Sequence, residues 1–247
     1  MRESLLLDVP HRHVVLTITK MLHIFFRYNR RVLGGLCQAA VRALLKYFQA
    51  VTGKELIPGI VASIQTFGER INLHLHLHCL LTEGDEDSEG TFHHLPEFED
   101  NLLSEFFSHQ VFALLLGEEL ISEPLVEKIS SWPYSGFSVH SKVRARTKKK
   151  AKRVGKYMMR PLLSLERLFF LEKEGKVRYR YGKEAEEVER MDYLEFIARV
   201  TSHIPDKCQV TICYFGLYAN AHRGKVRKSK EAAHKLLVIE EEEARVP

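Results

Sequence analysis

Residues 71–80 read INLHLHLHCL, with His74, His76 and His78 at every second position and Leu73, Leu75 and Leu77 between them. A period of two belongs to a β-strand, on which alternate side chains share a face. The run therefore predicts a strand over 71–82, with three imidazoles on one side and an apolar row facing a core on the other. A helix would place His74 and His78 at i and i+4, as in a zinc protease. That pattern needs Glu after the first His, and Leu75 stands there. A row of imidazoles adds nothing to packing, whereas neutral imidazole is a common metal ligand. Gln65, across the expected turn, offers an amide oxygen as a third ligand for a hard divalent ion, and Glu69 is the alternative. Cys79 follows His78 but belongs to the opposite strand face.

The flanks agree with a strand. GIVASIQTF (59–67) mixes β-branched and apolar residues, and Gly68-Glu69-Arg70 is a turn, so 59–82 reads as a hairpin. HVVLTIT (13–19) predicts a further strand. From 21 to 51 the apolar residues follow helical spacing, and Thr52-Gly53 ends that helix. Beyond an acidic loop (83–96), helices are expected near 97–117 and 121–131, a short strand at 135–141, and a basic helix at 148–159 stopped by Pro161. A second hairpin over 164–183 turns at Gly175. An amphipathic helix (191–204) and a strand (209–218) follow. Strands interleaved with helices in this way predict an α+β fold, an antiparallel sheet with helices packed on one face.

The 247 residues can bury a core of their own, and a single domain spanning 1–247 is expected, with a basic tail from about 219. No apolar run approaches the ~20 residues that span a bilayer, so no membrane partner is expected. MRESLLLDVPHRH has no secretory pattern. Four scattered cysteines without a Cys-x-x-Cys pair fit a reducing cytoplasm.

The net charge of +5 is modest, but its distribution is not even. KVRARTKKKAKRVGKYMMR (142–160) has many cations and no acid, and HRGKVRKSK (222–230) is a second basic cluster. Both suggest a polyanionic partner. Within the first, Tyr157 has Arg153 at i−4 and Arg160 at i+3 on its own helical face. Unperturbed tyrosine, with a pKa of about 10, is a poor nucleophile at neutral pH. The same cations would hold an approaching phosphate. Imidazoles for a metal, a phenol among guanidinium groups and basic flanks together describe phosphodiester chemistry on DNA.

HLH at 76–78 resembles the histidine–hydrophobic–histidine element of the HUH endonucleases. VPHRHVVLTI (9–18), GIVASIQTFGERINLHLHLHCLLTEG (59–84), SGFSVHSKVR (135–144), KYMMRPLLSLERL (156–168), MDYLEFIARVTSHIPDK (191–207) and YFGLYANAHRGKVRK (214–228) resemble, in this order, the rolling-circle transposases of the insertion-sequence ninety-one and common-region type. The resemblance implies an RRM-like sheet, the HUH endonuclease fold. It implies a metal-dependent enzyme that nicks and rejoins single-stranded DNA, at mobile-element ends and target sites, through a 5′-phosphotyrosine.

On matching positions it makes His76 and His78 the ligands of Mg2+ or Mn2+, Tyr157 the nucleophile and His74 a neighbour of the ligand shell or of phosphate. Two-tyrosine members carry another tyrosine four residues earlier. Here that position is Arg153, so the chain resembles the single-tyrosine branch. The cysteine-rich zinc modules of many relatives are absent from these residues.

Lys149, Lys150, Lys152, Arg153, Lys156, Arg160, Arg223 and Lys225 are the expected DNA-backbone contacts. His140 could touch DNA, and Trp132-Pro133-Tyr134 could stack bases or pack internally. Two other readings stay open. One is a catalytically inactive remnant of a transposase that binds single-stranded nucleic acid. The other is a zinc hydrolase using the three histidines.

Overall fold

A computed structural model describes residues 6–86, 92–222 and 224. Its centre is a five-stranded antiparallel sheet. The strands are β1 (His11–Thr17), β2 (Ile60–Phe67), β3 (Leu73–Thr82), β6 (Ser138–Ala145) and β10 (Ile212–Phe215), in spatial order β10-β2-β3-β1-β6. β4 (Gly84–Glu86) and β5 (Phe92–His94) form a small ladder within the acidic loop. The α+β class follows the expectation, and the hairpin β2–β3 sits at the sheet's middle.

The alternation of β3 decides what each face becomes. Leu75, Leu77, Cys79 and Leu81 join Val14 and Leu16 of β1 and Ile60, Ala62 and Ile64 of β2 in the main core. Two helices cover that face, α2 (Val32–Thr52) and α3 (Asp100–Gly117). Leu36, Ala40, Leu44 and Phe48 of α2, at helical spacing, meet Leu103, Phe107 and Val111 of α3 there. Burying a side chain of this size is worth about 1.5–3 kcal/mol, so this layer supplies most of the apolar stabilisation. The short helix α4 (Glu123–Ser130) contributes Ile129.

The expected helix over 21–51 is broken. A 3-10 turn (Lys20–Leu22) leads into α1 (His23–Tyr28), and Asn29 leaves helical geometry with φ −126° and ψ 77° before α2 begins. The break lets Arg30 donate to the carbonyl oxygens of Ser202 and Ile204, satisfying acceptors beyond the end of α6 (Tyr193–Thr201).

α5 (Lys148–Met158) packs on the opposite, histidine-bearing face, at one end of the sheet. Ala151, Gly155 and Met158 are its buried positions, and Ala151 and Met158 pack in a small apolar cluster with Val61, Leu80, Ala145 and Tyr218. Over the rest of that face lies a groove whose far wall includes Tyr181, Glu189 and Arg199.

The second expected hairpin, β7 (Leu168–Leu171) with β8 (Lys176–Tyr181), gains a third strand, β9 (Glu187–Asp192). EVERMD carries too many charges to read as a strand, and it survives as one because it is an edge. β6 runs four residues past the expected 141, through cations assigned to the basic segment. The expected strand over 209–218 is regular only across β10, then tightens into a 3-10 turn at Gly216–Tyr218.

Candidate functional site

β3 turns His74, His76 and His78 to the face that α2 and α3 leave uncovered. Register places Gln65 opposite His76 and His78 opposite Val15. A groove of about 1280 Å³ opens over this face, and its wall includes His13, His76, His78, Arg153, Tyr157 and Arg160. His76 and His78 are buried, with ring centroids 4.9 Å apart. His74 is partly buried, its ring tilted 5.0 Å from that of His76 and edge-on 6.1 Å from that of His23.

The hydrogen bonds assign the ring protons. His76 Nδ1 lies 2.9 Å from the carbonyl oxygen of His74, which can accept only, so Nδ1 donates and Nε2 keeps its lone pair. Gln65 Nε2 donates to the carbonyl oxygen of Met158 at 2.7 Å, so Gln65 Oε1 is the acceptor for His78 Nε2 at 3.2 Å. His78 Nδ1 must then accept, and His13 Nε2 donates to it at 2.9 Å.

Burial keeps the rings neutral. Desolvation pushes His13 and His76 down to about 4 and His78 to about 3. Repulsion from His140 adds to the effect at His13, and from neighbouring rings and Arg160 at His76 and His78. Neutral imidazole is the form that ligates a metal.

Among the described residues no three His, Cys, Asp or Glu side chains form a closed metal cage. What the strands offer is an open set of two imidazoles and the amide oxygen of Gln65. These donors suit a divalent ion that keeps water or substrate in its remaining positions. In the metal-free hydrogen-bond pattern His78 Nε2 carries the proton, so His78 would ligate through Nε2 only after that proton moves to Nδ1, which would then donate to His13 Nε2. Glu69, the alternative ligand, is exposed in the β2–β3 turn and lines the groove farther along.

Tyr157 reaches the same face from α5. Its ring lies 5.8 Å from that of His78 and 6.5 Å from that of His13, edge-on to both, and half of its surface is exposed. The Arg160 guanidinium sits over the Tyr157 ring at 5.2 Å and over Phe67 at 5.9 Å. Its Nε is buried without a hydrogen-bond partner. Tyr157, Arg160 and Pro161 also line a second groove of about 520 Å³, so the phenol stands where two grooves meet.

The local sequence explains this pose. Thr147 caps α5 by accepting from Lys150 N, and Pro161 prevents continuation. Lys148, Lys149 and Lys150 occupy the first turn, where the helix dipole disfavours cations by about 0.3–1 kcal/mol each. That arrangement works against the helix and adds to the positive potential beside the groove.

Of the expected backbone contacts, Arg153 and Arg160 line the main groove beside Tyr157. Lys149, Lys150 and Lys156 are exposed on α5, and Lys152 is partly buried. Arg223 and Lys225 lie outside the described residues. Trp132 packs against the main core, whereas Tyr134 is exposed.

His140 lines the same groove, paired with Val15 next to the register shift of the β1–β6 ladder. Cys79 is buried in the apolar layer, away from the imidazoles. Sequence reasoning missed His13, which joins the cluster from β1. The alternation His11, His13, Val15 was its available signal.

The family model described as "Putative transposase" (Y2_Tnp) matches residues 59–226. Over 230 residues the chain is 30% identical to the transposase for insertion sequence element IS801 from Pseudomonas savastanoi pv. phaseolicola. That alignment covers 86% of this chain and 55% of the relative, so the chain spans about half of that protein's length. No solved structure matches it significantly. The family match runs from β2 through β3 and α5 to the residues after β10, and so contains Gln65, His76, His78 and Tyr157 together: the chain belongs to this family of transposases.

Proposed function

We propose that the chain nicks and rejoins single-stranded DNA by HUH tyrosine chemistry, as the strand-transfer domain of a rolling-circle transposase. The observation that carries this reading is the approach of Tyr157 to the His76/His78 face from a different element. His76, His78 and Gln65 would hold Mg2+ or Mn2+, and the ion when bound supplies Lewis acidity to a non-bridging phosphate oxygen.

Arg153 and Arg160 receive the phosphate beside the phenol and offset its charge. Tyr157 Oη attacks phosphorus, forming the phosphotyrosine bond as the P–O3′ bond breaks. The phenolic proton leaves to water, and the departing oxygen takes one up as a free 3′ hydroxyl. The DNA stays attached through its 5′ phosphate, and a 3′ hydroxyl at a new end reverses the exchange without external energy. With the ion bound, His13 Nε2 would accept from His78 Nδ1 and so keep His78 Nε2 free as a ligand, while His74 orients His76 through its carbonyl oxygen. The lysines of α5 contact flanking phosphates, so affinity falls steeply with salt.

The test is a covalent adduct. A labelled single-stranded oligonucleotide containing an element end, incubated with the protein and Mn2+, should give a species that survives denaturing electrophoresis. Tyr157→Phe should abolish the adduct and keep binding. An adduct that persists in Tyr157→Phe would move the nucleophile elsewhere. Binding without any adduct in the unaltered protein would favour the inactive remnant.

A further inference from the structure

The three-stranded sheet β7-β8-β9 has two unlike faces. Val177, Tyr179 and Tyr181 of β8 turn inward, and Tyr179 and Tyr181 pack with Ile71 and with Phe196 and Val200 of α6. Cations near this inner side have partners. Arg199 bonds Glu189 and Glu195, and the Arg70 guanidinium sits over the Tyr181 ring at 5.0 Å.

The outer face has another composition. Register places Phe169 beside Arg178, Arg178 beside Arg190, Arg180 beside Val188 and Lys176 beside Asp192. Asp192, the one acid of these positions, is engaged as the cap of α6, accepting from Leu194 N. Among the described residues none of the four cations is within 4 Å of a carboxylate.

The Arg178 and Arg180 guanidinium groups lie over the Phe169 ring at 4.8 and 5.4 Å. Arg178 Nε is buried without a hydrogen-bond partner, so stacking alone holds that side chain. Phe169 remains about a third exposed and Val188 nearly half.

We infer that this outer face is a second binding surface for single-stranded DNA, separate from the groove that holds Tyr157. The inference deepens the proposed function, resting on DNA as its substrate class. Three considerations select the occupant. Unpaired cations on one face call for a polyanion. Lys176, Arg178 and Arg180 recur about every 7 Å along β8, a spacing comparable to that of phosphates on an extended strand. A ring with guanidinium groups stacked on it is a platform for unpaired bases, whose flat faces a duplex keeps covered.

The second groove leads towards this sheet. Gly182 and Lys183, just after Arg180 and Tyr181, line the second groove beside Tyr157. The groove thus reaches the β8–β9 turn, two residues from Arg180, where a strand would round the turn to reach the outer face.

Fluorescence anisotropy in EDTA reads binding without cleavage. The probes are a short and a long oligothymidylate, a duplex of the long one's length, and polyglutamate. The unaltered protein should bind the long oligothymidylate more tightly than the short one, and Phe169→Ala should weaken the long one by about tenfold. Arg180→Gln with Arg190→Gln, both at exposed positions, should lower the salt slope by about 1.4, or about 0.7 per lost phosphate contact.

If Phe169→Ala does not fold, the double glutamine variant decides alone. An unchanged length dependence and salt slope would overturn the inference, as would losses confined to the duplex or to polyglutamate. Because no adduct is measured, a failed nicking assay leaves this result standing, and a failure here leaves the nicking reading standing.

Discussion

Gln65 on β2 donates a 2.7 Å hydrogen bond to the carbonyl oxygen of Met158, the residue that follows Tyr157. The same side chain receives His78 Nε2 at 3.2 Å through its oxygen. One amide therefore fixes the end of the tyrosine helix and the protonation of a candidate ligand. Gln65→Ala should cost about 1–3 kcal/mol in urea unfolding, because a buried N–H and a buried carbonyl lose their partners. Gln65→Glu keeps an acceptor for His78 and sets a carboxylate against the Met158 carbonyl. It should lower adduct formation more than it lowers DNA binding. A Gln65→Glu protein with unaltered stability and adduct yield would show that this bond does not hold the helix.

Acid should destabilise the metal-free protein before its carboxylates titrate. His13 and His76 titrate near 4 and His78 near 3 in the folded chain, against an unfolded value of about 6.5. Between these limits the unfolded state binds more protons, so stability rises with pH through the window and falls on acidification. Each ring that is protonated only when unfolded contributes a slope of about 1.4 kcal/mol per pH unit. Urea midpoints in EDTA between about pH 5 and 7 measure it, and a flat profile would mean that the imidazoles are solvated.

Arg12 is buried between Glu83, Glu97 and Phe98. It pairs with Glu83 at 2.9 Å, reaches Glu97 at 3.6 Å and lies over the Phe98 ring at 4.9 Å. Arg12→Ala should cost about 3 kcal/mol, since removing one partner strands the other. Arg144, whose Nε is 3.0 Å from Glu83, limits the loss. Glu97→Ala, at the exposed end of the network, should leave the thermal midpoint nearly unmoved.

Gly216 turns the chain from β10 into its last 3-10 turn at φ +56°, and a Cβ there would lie 2.0 Å from the Pro58 carbonyl oxygen. Tyr218, two residues on, bonds His11 Nε2 at 2.6 Å inside the small apolar cluster beneath α5. Gly216→Ala should therefore unfold this corner, costing more than about 2 kcal/mol. Hydrogen exchange should increase at β10 and α5 first.

The central hairpin and the basic helix were legible because their signals are local. A period of two over β3, a turn at Gly68 and a proline at 161 each act within a few residues. His13 was illegible for the opposite reason: only pairing of β1 with β3, more than sixty positions apart, brings it to His78. Arg12 reads as an exposed cation until Glu83, Glu97 and Phe98 close around it. The break at Asn29 depends on acceptors near residue 203, and β9 depends on a partner strand rather than on its own apolar content. The trio His76, His78 and Gln65 was readable together since a hairpin is the shortest route by which a chain can face itself.

β3 carries the apolar layer on one side and the imidazoles on the other, so any change of register moves both. Inserting or deleting a single residue within Leu73–Thr82 would exchange the sides, driving histidine into the interior and leucine into the groove. Damage of that kind does not produce a folded protein with a blunted site; it removes scaffold and chemistry at once. Length changes in this lineage should therefore concentrate in connecting segments, and a copy that has decayed by substitution alone should still keep its architecture.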